Sequence, residues 1–229
     1  YTGIAMLYSA VVLEDYMTAD QRRVLDAYFG KIYKKFISPL AANHARSNGL
    51  YEFGDYGLGV LAYARWKRDA KLAKSEIRKR RSSFAKKIDA QGMLTENSYR
   101  GYRGYWYHTL GAESALGYAL VARSFGTDFF KDPKLGPRLQ NLAIQTVNGG
   151  RSYSEFRAKA LQKSPKNAIK DPKEEIPHMH QFAVGLPTII KREYGYGVKT
   201  ASAYKYKGRI EYISRIIVFN ADCFYSSVR

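Results

Sequence analysis

Along most of this chain apolar residues recur at steps of three and four, the spacing by which a helix buries one side. Ile4, Met6, Leu7, Ala10, Val11, Val12 and Leu13 form one apolar helix. Thr18-Ala19-Asp20-Gln21 then fits a capping box, with the hydroxyl first and Gln three residues on. The helix it opens carries Val24, Leu25, Ala27, Tyr28, Ile32, Tyr33 and Phe36, and Pro39 is expected to disturb or end it. Asn48-Gly49 and Phe53-Gly54-Asp55 read as turns. Helical spacing resumes near Gly57 and runs through Leu61 and Ala64 into a basic stretch. Asp89-Ala90-Gln91-Gly92 reads as a loop, residues 105–124 as a helix, 125–137 as turn-rich and 140–147 as a short helix. Asn148-Gly149-Gly150 reads as another turn, 152–160 as helical and 164–177 as an exposed, proline-bearing loop. A helix over 182–193 and a loop over 195–207 follow, and the spacing over 209–225 permits helix or strand. Alternating helices of similar length predict an all-α fold of helical hairpins packed around an axis. No linker divides the chain, so residues 1–229 read as one domain. Residues 2–16 already read as the middle of an apolar helix, which predicts that upstream sequence is missing.

Charge narrows the partners. The 38 Lys and Arg against 20 acids give a net +18, which fits nucleic acid, an anionic membrane surface or an acidic polymer. Much of the excess lies in residues 65–87, read first as the solvated face of an amphipathic helix and second as a surface that steers polyanions. The 20 tyrosines suit either stacking on rings or packing in a core. No apolar run reaches the ~20 residues of a membrane span. Cys223 is the one cysteine, so an internal disulfide and a cysteine metal cluster are both excluded, and its apolar neighbours predict a buried thiol.

Dinucleotide, P-loop and zinc-protease motifs are absent, and Gly101-Tyr102-Arg103-Gly104 is too short and too aromatic to cradle phosphate. Two clusters carry chemistry. One is Asn43-His44; the other is Arg100-Gly101-Tyr102-Arg103-Gly104-Tyr105-Trp106-Tyr107-His108. On a helix Arg103 and Tyr107, four apart, share a face, and Arg100 joins them one turn earlier. A cation beside a phenol favours the phenolate, so the pair suits proton abstraction. Taken singly, Asn-His reads as a cap or surface pair, the arginines as cation–π contacts and Tyr107 as a core residue. His178 and His180, in Ile176-Pro177-His178-Met179-His180, read first as loop residues and second as residues that line a cleft with these clusters or hold a stray metal; two alternate histidines without a third ligand make a poor metal site.

In this order the clusters resemble the alginate lyase family, whose members carry an Asn-His pair followed by an Arg-Gly-x-Arg and then a Tyr-His leading into an apolar helix. The matching parts are Ala42-Asn43-His44, then Gly92-Met93-Leu94-Thr95-Glu96-Asn97, then the run from Arg100 to His108, then Leu110, Ala112, Ala115, Leu116, Tyr118, Ala119, Leu120 and Val121. Aromatic residues that the family carries soon after Asn-His come later here, at Tyr51 and Phe53. The resemblance implies an incomplete (α/α) toroid lacking its N-terminal helices. It implies cleavage of an acidic polyuronate by β-elimination, with no cofactor or metal. Asn43, His44, Arg100 and Tyr107 are the implied catalytic residues. Arg103, Tyr102, Tyr105, Trp106, His108, His178, His180 and Tyr51 are the implied substrate-binding residues. The implied partner is an acidic polysaccharide, with neither nucleic acid nor membrane, and the implied location is periplasmic or secreted. The oligomeric state stays open. The alternatives are a glucuronan or other β-1,4-uronan lyase and a basic, non-catalytic module that binds polyanions.

Overall fold

The structure is a computed structural model that describes residues 2–44, 50–99, 104–163 and 185–196, with the short pairs 205–206 and 209–210. Among them the fold is all-α, except that Lys205–Tyr206 pairs antiparallel with Arg209–Ile210. The helices are α1 (Thr2–Val12), α2 (Ala19–Ile32), α3 (Ser38–His44), α4 (Leu50–Trp66), α5 (Ala70–Lys87), α6 (Gly104–Arg123), α7 (Gly136–Arg151), α8 (Tyr153–Lys163) and α9 (Gly185–Tyr194).

Local rules explain the first half. Thr18 Oγ1 accepts from Gln21 N at 3.2 Å, and Gln21 Oε1 accepts from Thr18 N at 2.9 Å, the capping box expected there. Pro39 does not stop the helical path. The chain passes through a π-helical turn, Tyr33–Ile37, and restarts as α3 with Pro39 in its first turn, where a missing N–H costs nothing. The basic stretch is two elements rather than one. Arg68 takes a left-handed φ of 56°, and the next residue, Asp69, caps α5 by accepting from Leu72 N at 2.9 Å.

Tertiary packing overrides local rules elsewhere. Phe53-Gly54-Asp55 lies inside α4 and Asn148-Gly149-Gly150 inside α7, so both turn readings are corrected. Glycine serves α7 by close approach: a Cβ on Gly149 would lie 2.8 Å from Cδ2 of Tyr105. Helix α7 is also longer than the expected 140–147, and α9 is described from Gly185 to Tyr194, one residue past the expected end at 193, with residues 182–184 outside the described residues. Residues 164–177, Asn48-Gly49 and Cys223 lie outside the described residues.

Helix α6 is buried nearly all round, with Leu110, Ala112, Ala115, Leu116, Tyr118, Ala119, Leu120, Val121 and Ala122 in the core. A helix apolar on every side needs neighbours on every side. It lies along α4, and α7, α8 and α9 also pack on it; α1, α3 and α5 pack on α4. The side of α5 that meets this core carries Ala73, Glu76, Ile77, Arg80 and Phe84. The solvated-face reading therefore needs a correction. Lys71, Lys74, Arg78, Lys79 and Lys86 are exposed, but Arg80 is only 1% exposed. Its Nε donates to Glu76 Oε1 at 2.5 Å, and its guanidinium lies 5.7 Å from the Tyr118 ring centre. No described helix is long and apolar enough to cross a membrane.

Candidate functional site

The start of α6 is set by the segment before it. Asp89 Oδ1 accepts from Gln91 N at 2.9 Å and Met93 N at 2.8 Å, folding 89–93 into a tight turn. Gly92 sits in this turn at φ 81°, and a Cβ there would collide with the Asn141–Leu142 backbone of α7. Both its angle and its neighbour demand glycine. Asn141 Nδ2 donates to Ala90 O at 2.7 Å and Arg138 donates to Ile88 O, so α7 grips the turn from outside. After it, Asn97–Tyr99 forms a 3-10 turn. Gly104 then opens α6 so near this turn that a Cβ would meet Ser98 O at 2.7 Å.

Hydrogen bonds tie that turn to α6. Asn97 Nδ2 donates to Tyr107 O at 3.3 Å. Leu94 N donates to Ser98 Oγ at 2.8 Å, and Ser98 Oγ lies 2.8 Å from His108 Nδ1. His108 Nε2 lies 3.3 Å from Thr146 Oγ1, which itself donates to Leu142 O at 2.8 Å. Thr146 spends its hydroxyl proton on Leu142, so toward His108 it accepts, and Nε2 carries the ring proton. Nδ1 is then the acceptor and Ser98 its donor. This proton order fits a neutral imidazole, and burial pushes His108 down to about 3, with Asp89 opposing weakly.

Tyr105 belongs to the same interior. It is 1% exposed, and its hydroxyl donates to Thr146 O at 2.6 Å. Phe156 meets the Tyr105 ring edge-on at 5.0 Å and the His108 ring at 4.9 Å. Desolvation raises the Tyr105 phenol far above its ordinary range. Tyr105 and His108, expected to touch substrate, are thus interior residues with no surface to offer a polymer. Tyr107 differs. It is half-buried, packs against the main core and stands in the first turn of α6. Near this segment Lys87, at the end of α5, is held down to about 8 by burial and by the Arg80 cation.

The other expected residues fall as follows. Asn43 and His44 end α3, Tyr51 lies in the first turn of α4, and Trp106 lies in the first turn of α6. Arg100, Tyr102, Arg103, His178 and His180 lie outside the described residues. Sequence reasoning missed Asn97, Ser98 and Thr146 as partners of α6. Asn97 sits in the stretch that carries the family likeness, directly before Ser98, whereas nothing around Thr146 marks it. Among the described residues no three His, Cys, Asp or Glu side chains gather as a metal site.

Chemically, the arrangement presents a phenol on a first helical turn, where the helix dipole favours nearby anions. The same turn carries His108, a neutral interior imidazole packed with the Tyr105 and Phe156 rings, while Tyr107 packs against the main core. Compared with known proteins, this chain matches no family model, no curated protein and no solved structure.

Proposed function

We propose that this chain is a polysaccharide lyase that cleaves an acidic polyuronate, foremost mannuronate-containing alginate, by metal-independent β-elimination. The observation that carries the reading is Tyr107: half-buried on the first turn of α6, held through its backbone, and preceded in sequence by Arg100 and Arg103. The resemblance to alginate lyases supports it, through the order Asn43-His44, Arg100, Arg103, Tyr107-His108. The all-α packing around α4 and α6 is compatible with helical hairpins in an incomplete (α/α) toroid, which belongs to the same proposal, as does a periplasmic or secreted location.

In the proposed reaction the C5 proton of a uronate leaves to Tyr107 as base. The carboxylate beside C5 takes up the developing charge, and Asn43 and Arg100 stabilise it by hydrogen bond and ion pair. The C5 electron pair forms the C4–C5 double bond as the C4–O4 bond breaks. The departing O4 takes the proton back from Tyr107. His44 neutralises the carboxylate or serves as base toward the opposite C5 epimer, and Arg103 holds a neighbouring uronate. The products are a shortened chain and one with an unsaturated terminal uronate.

The test is ultraviolet absorbance of that unsaturated product, with polymannuronate, polyguluronate and polyglucuronate offered separately to wild type, Tyr107→Phe and His44→Ala. A rise on one polymer that Tyr107→Phe abolishes supports the reading and names the substrate; a rise on polyglucuronate alone identifies a glucuronan lyase. No rise on any of them sinks it. The second reading, a non-catalytic polyanion-binding module, draws on the exposed cationic face of α5, Lys71, Lys74, Arg78, Lys79 and Lys86. Polymer retained without product would favour it.

A further inference from the structure

We propose that Ser98, His108 and Thr146 are positioning residues for Tyr107: the relay through the imidazole fixes the rotation of the first turn of α6, and with it the direction of the Tyr107 phenol. The inference rests on the lyase reading.

The relay has a beginning and an end on backbone groups of two different elements. It starts at Leu94 N–H, passes Ser98 Oγ, both nitrogens of His108 and Thr146 Oγ1, and ends at Leu142 C=O in α7. With Thr146 Oγ1 donating to Leu142 O, each step uses one donor and one acceptor. Tyr107 and His108 are adjacent, about 100° apart around the helix axis at 3.6 residues per turn. Fixing the azimuth of one therefore fixes the other. Asn97, next to Ser98, adds a second tie, from its amide to the Tyr107 carbonyl at 3.3 Å. Close approaches remove slack: Gly104 lies against Ser98 O, and Gly149 against the Tyr105 ring.

Stability alone gives little reason for a histidine here. A buried imidazole bears a desolvation cost that an apolar side chain of similar volume avoids. Apolar contacts tolerate sliding, whereas a hydrogen bond weakens steeply off axis. A fully buried polar relay, with His108 at 0% and Ser98 and Thr146 at 1% exposure, therefore adds direction rather than stability. Direction is what a base needs: misplacement by about 1 Å costs on the order of 100-fold in rate.

The experiment uses the full chain and a polyuronate that the wild type cleaves. Thr146→Val keeps the shape and removes the hydroxyl; Thr146→Ser restores the hydroxyl; Ser98→Ala breaks the relay at its other end. Thermal unfolding is recorded beside steady-state kinetics. Thr146→Val and Ser98→Ala are expected to lose about 10- to 100-fold in kcat with KM unchanged, and Thr146→Ser to recover wild-type kcat. Wild-type kcat in either folded relay-breaking variant overturns the proposal, and Ser98→Ala decides alone should Thr146→Val not fold. A loss that Thr146→Ser fails to rescue, or one carried by KM together with a lowered melting temperature, makes the relay merely structural and overturns it too. Wild type without product on any polyuronate is a separate outcome, which removes the lyase reading and the positioning role together.

Discussion

Replacing Gly57 by Ala sets two rules against each other. Gly57 lies inside α4, where helix propensity alone favours alanine by about 1 kcal/mol. The structure gives the opposite sign. A Cβ on Gly57 would stand 2.5 Å from Cζ and Nη2 of Arg80, well inside contact distance. Arg80 has nowhere to go: it is 1% exposed, bonded to Glu76 and set over Tyr118, behind which Phe84 and Phe129 pack edge-on and face-on against the same ring. Overpacking of a filled core costs about 1–3 kcal/mol. Breaking a buried ion pair costs about 3–5 kcal/mol. A pair that is strained rather than broken contributes part of that, so after the propensity gain the net loss is about 3 kcal/mol. Urea unfolding reads it as a lowered midpoint at unchanged slope. Arg80→Met supplies the control. In that background the guanidinium is gone, and Gly57→Ala should cost little or stabilise, a coupling that only direct contact explains. Gly57→Ala at or above wild-type stability would refute the packing argument.

Other outcomes follow from single sites. Burial lowers His108 from its ordinary 6.5 to about 3, so on acidification the unfolded chain takes the proton first. His108 brings no pH-linked penalty above about pH 6.5, and the fold loses stability as pH falls from there toward 3, by up to about 1.4 kcal/mol per pH unit. Urea midpoints taken between about pH 7 and pH 5 should fall more steeply for wild type than for His108→Gln, and equal slopes would count against a neutral interior histidine. Thr18→Ala should cost about 1 kcal/mol by removing the cap of α2, while Thr18→Ser stays near wild type, both measured by urea unfolding. For the proposed lyase activity, reversing Lys71, Lys74 and Arg78 together to Glu should lower kcat/KM on a polyuronate at low salt and leave kcat unchanged. The difference should close near 1 M salt, where the Debye length is about 3 Å.

Why some of this was legible in the sequence and some was not comes down to the range of the interactions. The cap at Thr18 needs only residues 18 to 21, so the capping box is written in four letters and the structure forms it. Helix α6 announces itself by apolar residues on every side. The glycines are different. In Phe53-Gly54-Asp55 and Asn148-Gly149-Gly150 local rules see turn formers, but the chain stays helical because the surrounding residues bury a helix face. Gly149 is small for a reason 44 residues away in sequence, the Tyr105 ring, and no local rule reaches that far.

The site shows the same division. Motif order brought Tyr105, Tyr107 and His108 forward together, because spacing along a helix says which residues share a side but not which side is inside. The interior claims two of them. Tyr105 and His108 turn toward Thr146 and Phe156, while Tyr107, between them in the sequence, stays only partly buried. Burial takes those two off the list of substrate contacts, yet it gives them a use that a surface position could not. A side chain in water can be reoriented at little cost, whereas one held by fixed partners at both ring nitrogens transmits their position to its neighbour. The residues that define such a site are therefore not only those of the motif. Ser98 and Thr146, which no pattern singles out, decide how the first turn of α6 stands, and the chemistry proposed for Tyr107 depends on that stance.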